Sequence, residues 1–284
     1  MKVEKKKKNP VVRPIVDLPE ELAIPNDFHE ITGLPSDGKL YNADAKIYAR
    51  ALKILEIKQL TNMDEDNYGF IIDNVLQKTT ILTNVDYQDI LIADKLFIIF
   101  WQRANTYQGD GFSIEFACSK CIDNKVIEDQ QNGIESTEES LREAAVSKYD
   151  FSVENLQLTD IKKDYNPNTE IELKGCGSVV TMYQHTVATE KAIGKIKMSE
   201  EIPQVDLDIL NLASIISSID GKPVDIKTAY AFIVDDITPP DFIVLEKYKS
   251  KYDININPTL EVTCKTCGGE VEAPLTFRPD FFLP

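Results

Sequence analysis

Phe112-Ser113-Ile114-Glu115-Phe116-Ala117-Cys118-Ser119-Lys120-Cys121, in the middle of the chain, and Pro258-Thr259-Leu260-Glu261-Val262-Thr263-Cys264-Lys265-Thr266-Cys267, near its end, decide how the sequence reads. In each, apolar and polar residues alternate as in a half-buried strand, and the strand runs into a cysteine doublet. A doublet supplies two thiols from one tight turn, and tetrahedral zinc takes four ligands, so two doublets make a complete set. Cys118, Cys121, Cys264 and Cys267 are therefore the candidate metal ligands, with zinc as the expected structural ion. They describe how the chain is held together and mark no active site.

Working outward, a shift of 146 residues carries one doublet onto the other and also lays Leu96-Phe97-Ile98-Ile99 over Phe242-Ile243-Val244-Leu245. With a gap, Gly69 to Thr80 falls on Ile209 to Asp220. This self-similarity predicts a duplicated unit. The expected fold class is α+β: two similar αβ halves, each ending in a β-ribbon with a C-x-x-C knuckle, joined at one zinc site. Residues 1–30 form a basic, proline-dotted leader, expected to be extended. Residues 31–127 form the first unit, 128–150 an acidic linker with room for one exposed helix and 151–284 the second unit, which ends in an apolar C-terminus.

A pseudo-twofold arrangement of such halves brings the doublets together. Gly268 and Gly269 suit a knuckle after the second doublet, because backbone amides must approach the sulfurs and positive φ is available to glycine. The first doublet is followed by Ile122 and Asp123, which suit it less. Two separate incomplete sites of reduced thiols, or a disulfide within each doublet, are the competing readings. Thioredoxin-type redox chemistry uses one C-x-x-C that opens a helix, whereas both doublets here follow strands.

Composition narrows the function. The chain has 284 residues, 43% hydrophobic, enough for a substantial core, and a formal net charge of -16 from 47 acidic and 31 basic residues. Binding to nucleic acid phosphates runs on clustered Lys and Arg, so a nucleic-acid partner is not expected. The longest apolar run, Leu96 to Trp101, is far short of the roughly 20 residues that span a bilayer. Lys5 to Lys8 are followed by Pro10, Pro14 and Pro19 without an apolar core segment, unlike a secretory signal. Five cysteines, four of them in doublets, fit a reducing compartment.

Periodicity predicts a strand over Lys46 to Leu52, short helices at Ile54 to Leu60 and around Phe70 to Leu76, and a long helix from Asp86 to Arg103. Further strands are expected at Glu170 to Leu173 and Val179 to Met182 around the Gly175-Cys176-Gly177 turn. Helices are expected at Thr189 to Lys197, Leu207 to Ile219 and Pro240 to Tyr252, with Asp241 at the positive end of the last. His29 and His185 stand outside ligand spacing of the doublets; His185 reads as a surface or helix-start residue. Asp64 to Asp66 and Asp235–Asp236 read as solvated acidic faces, Cys176 as an ordinary small residue and Trp101 as core. Phe277, Phe281, Phe282 and Leu283 dock either on the chain's own core or on a partner. No phosphate-loop, dinucleotide, nucleophile-elbow or zinc-protease motif is present, so neither catalysis nor a small-molecule substrate is expected.

Taken in order, these residues resemble the T-even-type baseplate hub protein family of contractile-tailed bacteriophages. Leu34-Pro35-Ser36 with Gly38 and Tyr41, Ile92-Ala93-Asp94-Lys95-Leu96 through Arg103, and Cys118 to Cys121 carry the likeness. It continues with Thr263-Cys264-Lys265-Thr266-Cys267-Gly268, Pro274-Leu275-Thr276-Phe277 and Phe281-Phe282-Leu283-Pro284, and so covers most of the chain from about residue 31. The resemblance implies a non-enzymatic structural component of the central hub of the tail baseplate, made in the host cytoplasm and carried in the virion. Its partners would be other baseplate hub or wedge proteins and the tape-measure protein. An assembly chaperone absent from the mature particle and a cellular zinc-ribbon adaptor protein are the alternatives.

Overall fold

The computed structural model describes residues 24–64, 67–107, 112–151, 156–199, 204–257, 259–274 and 279–283. Strands β1 (His29–Glu30) and β2 (Lys46–Ala49) are followed by helices α1 (Ile54–Leu60) and α2 (Tyr68–Thr79), strand β3 (Thr80–Thr83), a 3-10 turn at Tyr87–Asp89 and helix α3 (Ile92–Thr106). β1, β2 and β3 form one antiparallel sheet. Strand β4 (Phe112–Ala117) then leads to the first doublet, and the chain continues as α4 (Ser119–Gln131), α5 (Glu138–Ala145) and β5 (Val146–Phe151).

After the two-residue strand β6 (Leu158–Thr159) come β7 (Glu170–Glu172), β8 (Val179–Met182), α6 (Val187–Ser199), α7 (Gln204–Ala213), β9 (Ile216–Ile219), β10 (Lys222–Pro223), α8 (Ile226–Asp235) and α9 (Pro239–Tyr252). β7 to β10 form a second antiparallel sheet in the order β10-β9-β8-β7. The chain ends with β11 (Asn255–Ile256), paired to β6, and with β12 (Thr259–Thr263) and β13 (Glu270–Pro274), an antiparallel ribbon, followed by a 3-10 turn at Pro279–Phe282. The protein is thus mixed α+β with small antiparallel sheets. Among the described residues no helix is long and apolar enough to cross a membrane.

Three expected boundaries move. The long helix begins at Ile92 rather than Asp86, because Leu91 is held extended in a bridge to Thr186. The helix expected to reach Ile219 stops at Ala213, and the β-branched run that follows joins the sheet as β9 beside β8; a strand neighbour outweighs helical periodicity there. Residues 128–150, expected as a linker with one exposed helix, hold that helix as α5, but begin inside α4 and end in strand β5, which returns to the first unit. β5 pairs with β4 from Val146↔Ala117 to Phe151↔Phe112. α5 has a good start, with the Thr137 side chain accepting from the Ser140 N–H at 3.2 Å.

Two principal cores result. The first gathers Ile47, Val75, Leu76, Phe97, Ile98 and Phe100 from the first half together with Leu260, Val262, Ala273 and Phe282 from the end of the chain. The second is local, built from Ile171, Val180, Met182, Leu212, Ile216, Phe232 and Leu245. Between them Leu91, Ala93, Ile161 and Ile254 make a small junction cluster.

Each long helix carries a buried aspartate as its third residue, and each aspartate grips the loop between two strands. Asp94 on α3 accepts from the Ser36 N–H at 3.0 Å and from the Ser36 and Tyr41 hydroxyls, both at 2.5 Å. Asp241 on α9 accepts from the N–H groups of Gly175 and Cys176, both at 2.9 Å, and from the Thr238 hydroxyl at 2.8 Å. Gly175 has to be glycine: a Cβ there would lie 2.1 Å from Thr238 Oγ1 and 2.3 Å from Asp241 Oδ2.

Candidate metal centre

The four cysteines meet where the β4–α4 corner touches the β12–β13 ribbon. Their four Sγ atoms all lie within 4.8 Å of one another, with two approaches of 3.6 Å between doublets, Cys118 to Cys267 and Cys121 to Cys264. A tetrahedral ion with Zn–S bonds of about 2.3 Å places its sulfurs about 3.8 Å apart. The cluster therefore has the size and the all-sulfur donor set of a structural four-thiolate site.

The two doublets are presented differently. Cys264 to Cys267 occupies the turn between β12 and β13, closed by the Cys264 N–H to Gly269 carbonyl bond at 2.8 Å and the Gly268 N–H to Cys264 carbonyl bond at 2.9 Å. Gly268 has φ +68°, the left-handed region that glycine enters without strain. Cys118 to Cys121, expected on a matching β-turn, instead opens helix α4, with Cys118 as its N-cap. The reason is local. No glycine follows Cys121, so the chain continues right-handed, with the Ile122 N–H bonded to the Cys118 carbonyl at 3.2 Å. The Cys118 N–H is tied to the Ala145 carbonyl at 2.9 Å, so the α4–α5–β5 insertion braces the first doublet.

A C-x-x-C at a helix start is also the thioredoxin arrangement, but the electrostatics run the other way. A redox-active cysteine has a lowered thiol pKa. Here burial pushes Cys118 up, and burial with the neighbouring thiols pushes Cys121 up to about 12. Cys118, Cys121 and Cys264 are buried while Cys267 stands on the solvent side. Lys120 leans over the ribbon, where a Cβ on Gly269 would come within 2.7 Å of its Cδ.

The end of the chain docks beside this centre. Phe282 is 1% exposed, and Phe281 packs edge-on against Phe100 with ring centroids 5.5 Å apart. Arg103 donates to the carbonyls of Phe281 and Leu283, both at 2.6 Å, and the Tyr107 hydroxyl donates to that of Phe282 at 2.9 Å. Phe281 and Phe282 therefore lie on the chain's own core, whereas Phe277 falls outside the described residues.

The remaining candidates are scattered. His29 lies on β1 near Trp101, whose ring is half-buried against the first core rather than enclosed by it. Cys176 is held by Asp241 in the β7–β8 turn, and Asp235 and Asp236 are solvated at the end of α8. Asp64 accepts from the Asn67 N–H just before α2, while residues 65–66 fall outside the described set. His185 stands at a helix start, two residues before α6, and is half-buried rather than fully exposed. Its Nδ1 lies 3.2 Å from Ser214 Oγ, and burial, with Lys249 nearby, pushes its pKa down. Ser214 Oγ also lies within donating distance of the Asn211 carbonyl, at 2.8 Å.

Sequence patterns passed over one cluster. At the contact of α2, α3 and α6, Lys95 bridges Asp73 at 2.8 Å and Glu190, and Lys191 reaches Asp73 at 2.9 Å. Burial would push Asp73 up, but hydrogen bonds from Lys95 and Lys191 hold its carboxyl below the usual range. Scattered through the sequence at 73, 95, 190 and 191, these residues share no spacing signal; only a charged residue on the apolar stripe of α3 hints at them. No family model matches the chain, and no curated protein or solved structure matches it.

Proposed function

We propose that the chain is a structural, non-enzymatic component of the central hub of a contractile phage tail baseplate, built from a duplicated αβ unit whose distant parts are fastened by a zinc ion. One observation carries the reading: the residues on which the family likeness rests are the residues that make the fastenings. Ser36 and Tyr41 are gripped by Asp94, Arg103 holds the carbonyls of Phe281 and Leu283, and the four cysteines converge. A scaffold that bears load in an assembly needs its distant segments tied, and these ties span up to 180 positions of sequence.

The duplication is supported by element order. A strand pair, two helices, a strand antiparallel to the second of the pair, a long helix with its buried aspartate and a strand into a doublet follow in this order in both halves, the second carrying β10 and α8 before its long helix and β11 after it. Ile54, Leu55 and Phe70, 84%, 67% and 73% exposed on the adjoining helices α1 and α2, are large apolar side chains of the kind that partner contacts cover. Mass spectrometry of tails purified from a phage carrying the chain tests the proposal. The chain should be present in mature tails; capture with hub proteins during infection followed by loss from the particle would assign it to assembly instead. Absence from both would end the baseplate reading.

A further inference from the structure

Lys120 stands between Cys118 and Cys121 in the sequence and reaches across to the other doublet. A Cβ built on Gly269 would lie 2.7 Å from Lys120 Cδ, 3.1 Å from its Nζ and 3.3 Å from Cys267 Sγ. The ammonium and the solvent-side thiol therefore border the same small space, and the missing side chain of Gly269 leaves it open. Unlike Gly268, Gly269 has no positive φ to account for it. It is buried between exposed Gly268 and Glu270, with Lys120 lying over it.

Among the described residues Lys120 makes no ion pair and no hydrogen bond. Acidic residues outnumber basic ones 47 to 31 in this chain, yet this ammonium is set beside thiols rather than a carboxylate.

The chemistry of the cluster supplies the missing anion. Zinc binds cysteines as thiolates, so a divalent ion on four of them leaves a centre with two net negative charges. Cys118, Cys121 and Cys264 are buried, and buried charge is costly unless it is paired. The surrounding chain, at net charge -16, opposes such a centre. The first doublet lies at the start of α4, whose N-terminal end brings partial positive charge. Lys120 brings a whole one.

We infer that Lys120 is the counter-charge of the metal centre: its ammonium sits beside Cys267, offsets the negative charge of the zinc-bound thiolates, and uses Gly269 as its seat. The inference rests on the zinc reading and adds to it a positioning residue that sets how tightly the ion is held. Cys267 is the ligand nearest solvent, so Lys120 also covers the side from which the ion leaves. Because Lys120 belongs to the β4–α4 corner and Gly269 to the β12–β13 ribbon, the contact is a further tie between them.

Competition for zinc between the full chain and a chromogenic chelator tests it. Lys120→Gln should weaken zinc binding about tenfold or more, the usual cost of losing a partner outside the ligand set, and Lys120→Arg, which keeps the charge, should retain most of the affinity. Lys222→Gln makes the same change in net charge on β10 of the second sheet and should leave zinc binding unaltered. Gly269→Leu, which fills the seat, should weaken binding as Lys120→Gln does, and the two together should cost no more than either alone. Zinc-free Lys120→Gln should melt at the same temperature as the zinc-free unchanged chain. A chain that takes up no zinc would overturn the clamp and the role of Lys120 together. Zinc held equally well by Lys120→Gln, an equal loss in Lys120→Arg or Lys222→Gln, or zinc-free melting lowered as far as that of the loaded protein would overturn the role of Lys120 and leave the clamp standing.

Discussion

The two principal cores differ in where their residues come from. The second closes on itself within residues 171–248, through neighbouring strands and helices. The first joins residues 31–121 to residues 256–282 and is sealed by the thiol cluster and the Arg103 grip on the tail. Loop closure over long separations costs entropy before any contact repays it. A non-local core therefore leans on specific ties, and a local one on ordinary apolar burial.

Metal removal should break this contrast open most widely. Zinc-thiolate sites contribute on the order of 10 kcal/mol of apparent folding free energy in small domains. Metal analysis should return about one zinc per chain, and Cys264→Ser or chelation should lose it. The single tryptophan, Trp101, borders the first core and reports on that core in fluorescence melts. Its transition should fall sharply, while hydrogen exchange in β8 and β9 of the second core stays slow. Absence of metal with four free thiols would remove the clamp from the account.

Phe282→Ala should follow, costing about 3–5 kcal/mol by cavity formation, again in the Trp101 transition first. Lys95→Ala should cost about 3 kcal/mol, because it strips a buried carboxylate of a partner at the junction; chemical denaturation should show both cores affected. The Asp73 carboxyl is held below its unfolded value, so its contribution is full above about pH 5 and is lost as pH falls through the folded-state value.

The paired aspartates sharpen the comparison further. Asp94→Ala should cost about 2–3 kcal/mol, since it orphans the buried Ser36 N–H, and Asp241→Ala should cost less, since the Gly175 and Cys176 N–H groups it releases are nearer to solvent. Their pH dependence should differ in sign. The Gly175 N–H heads the bonds that hold Asp241 down, so its stabilisation fades with acid; burial pushes Asp94 up, so stability at that site grows as pH falls toward the carboxylate range. Urea melts of the two variants at neutral and acidic pH should show opposite trends. Smallest of all, Gly194→Ala should raise stability by about 0.5–1 kcal/mol in thermal melts.

Much of this was legible in the chain. The doublets singled out the four cysteines that the fold brings together, because two-residue spacing after alternating strands is a local pattern. The strands at Lys46 to Ala49 and Val179 to Met182 and the helix ending at Tyr252 follow from periodicity in the same way. The α4 start at Cys118 was hinted at only by the missing glycine after Cys121. The grip of Asp94 on Ser36, the Lys95 network and the contact of His185 with Ser214 could not be read, since each joins residues from separate elements with no shared spacing. For residues 128–150 composition gave the exposed helix but not the return strand β5, since acidic and amide side chains suit a linker and a solvated helix equally well and the pairing partner β4 lies elsewhere in the sequence.

The position of β12 and β13 in the first core also sets an order of events during synthesis. A ribosome delivers residues 171–248, enough to close the second core, before it delivers Cys264, Cys267 or Phe282. Domains close as their residues emerge, so the earlier-made half of the protein waits for the later-made half. The core that closes last thus holds the earlier-made residues 31–121, and a ribosome that stalls before Cys264 leaves a chain with an apolar surface where a finished core should be.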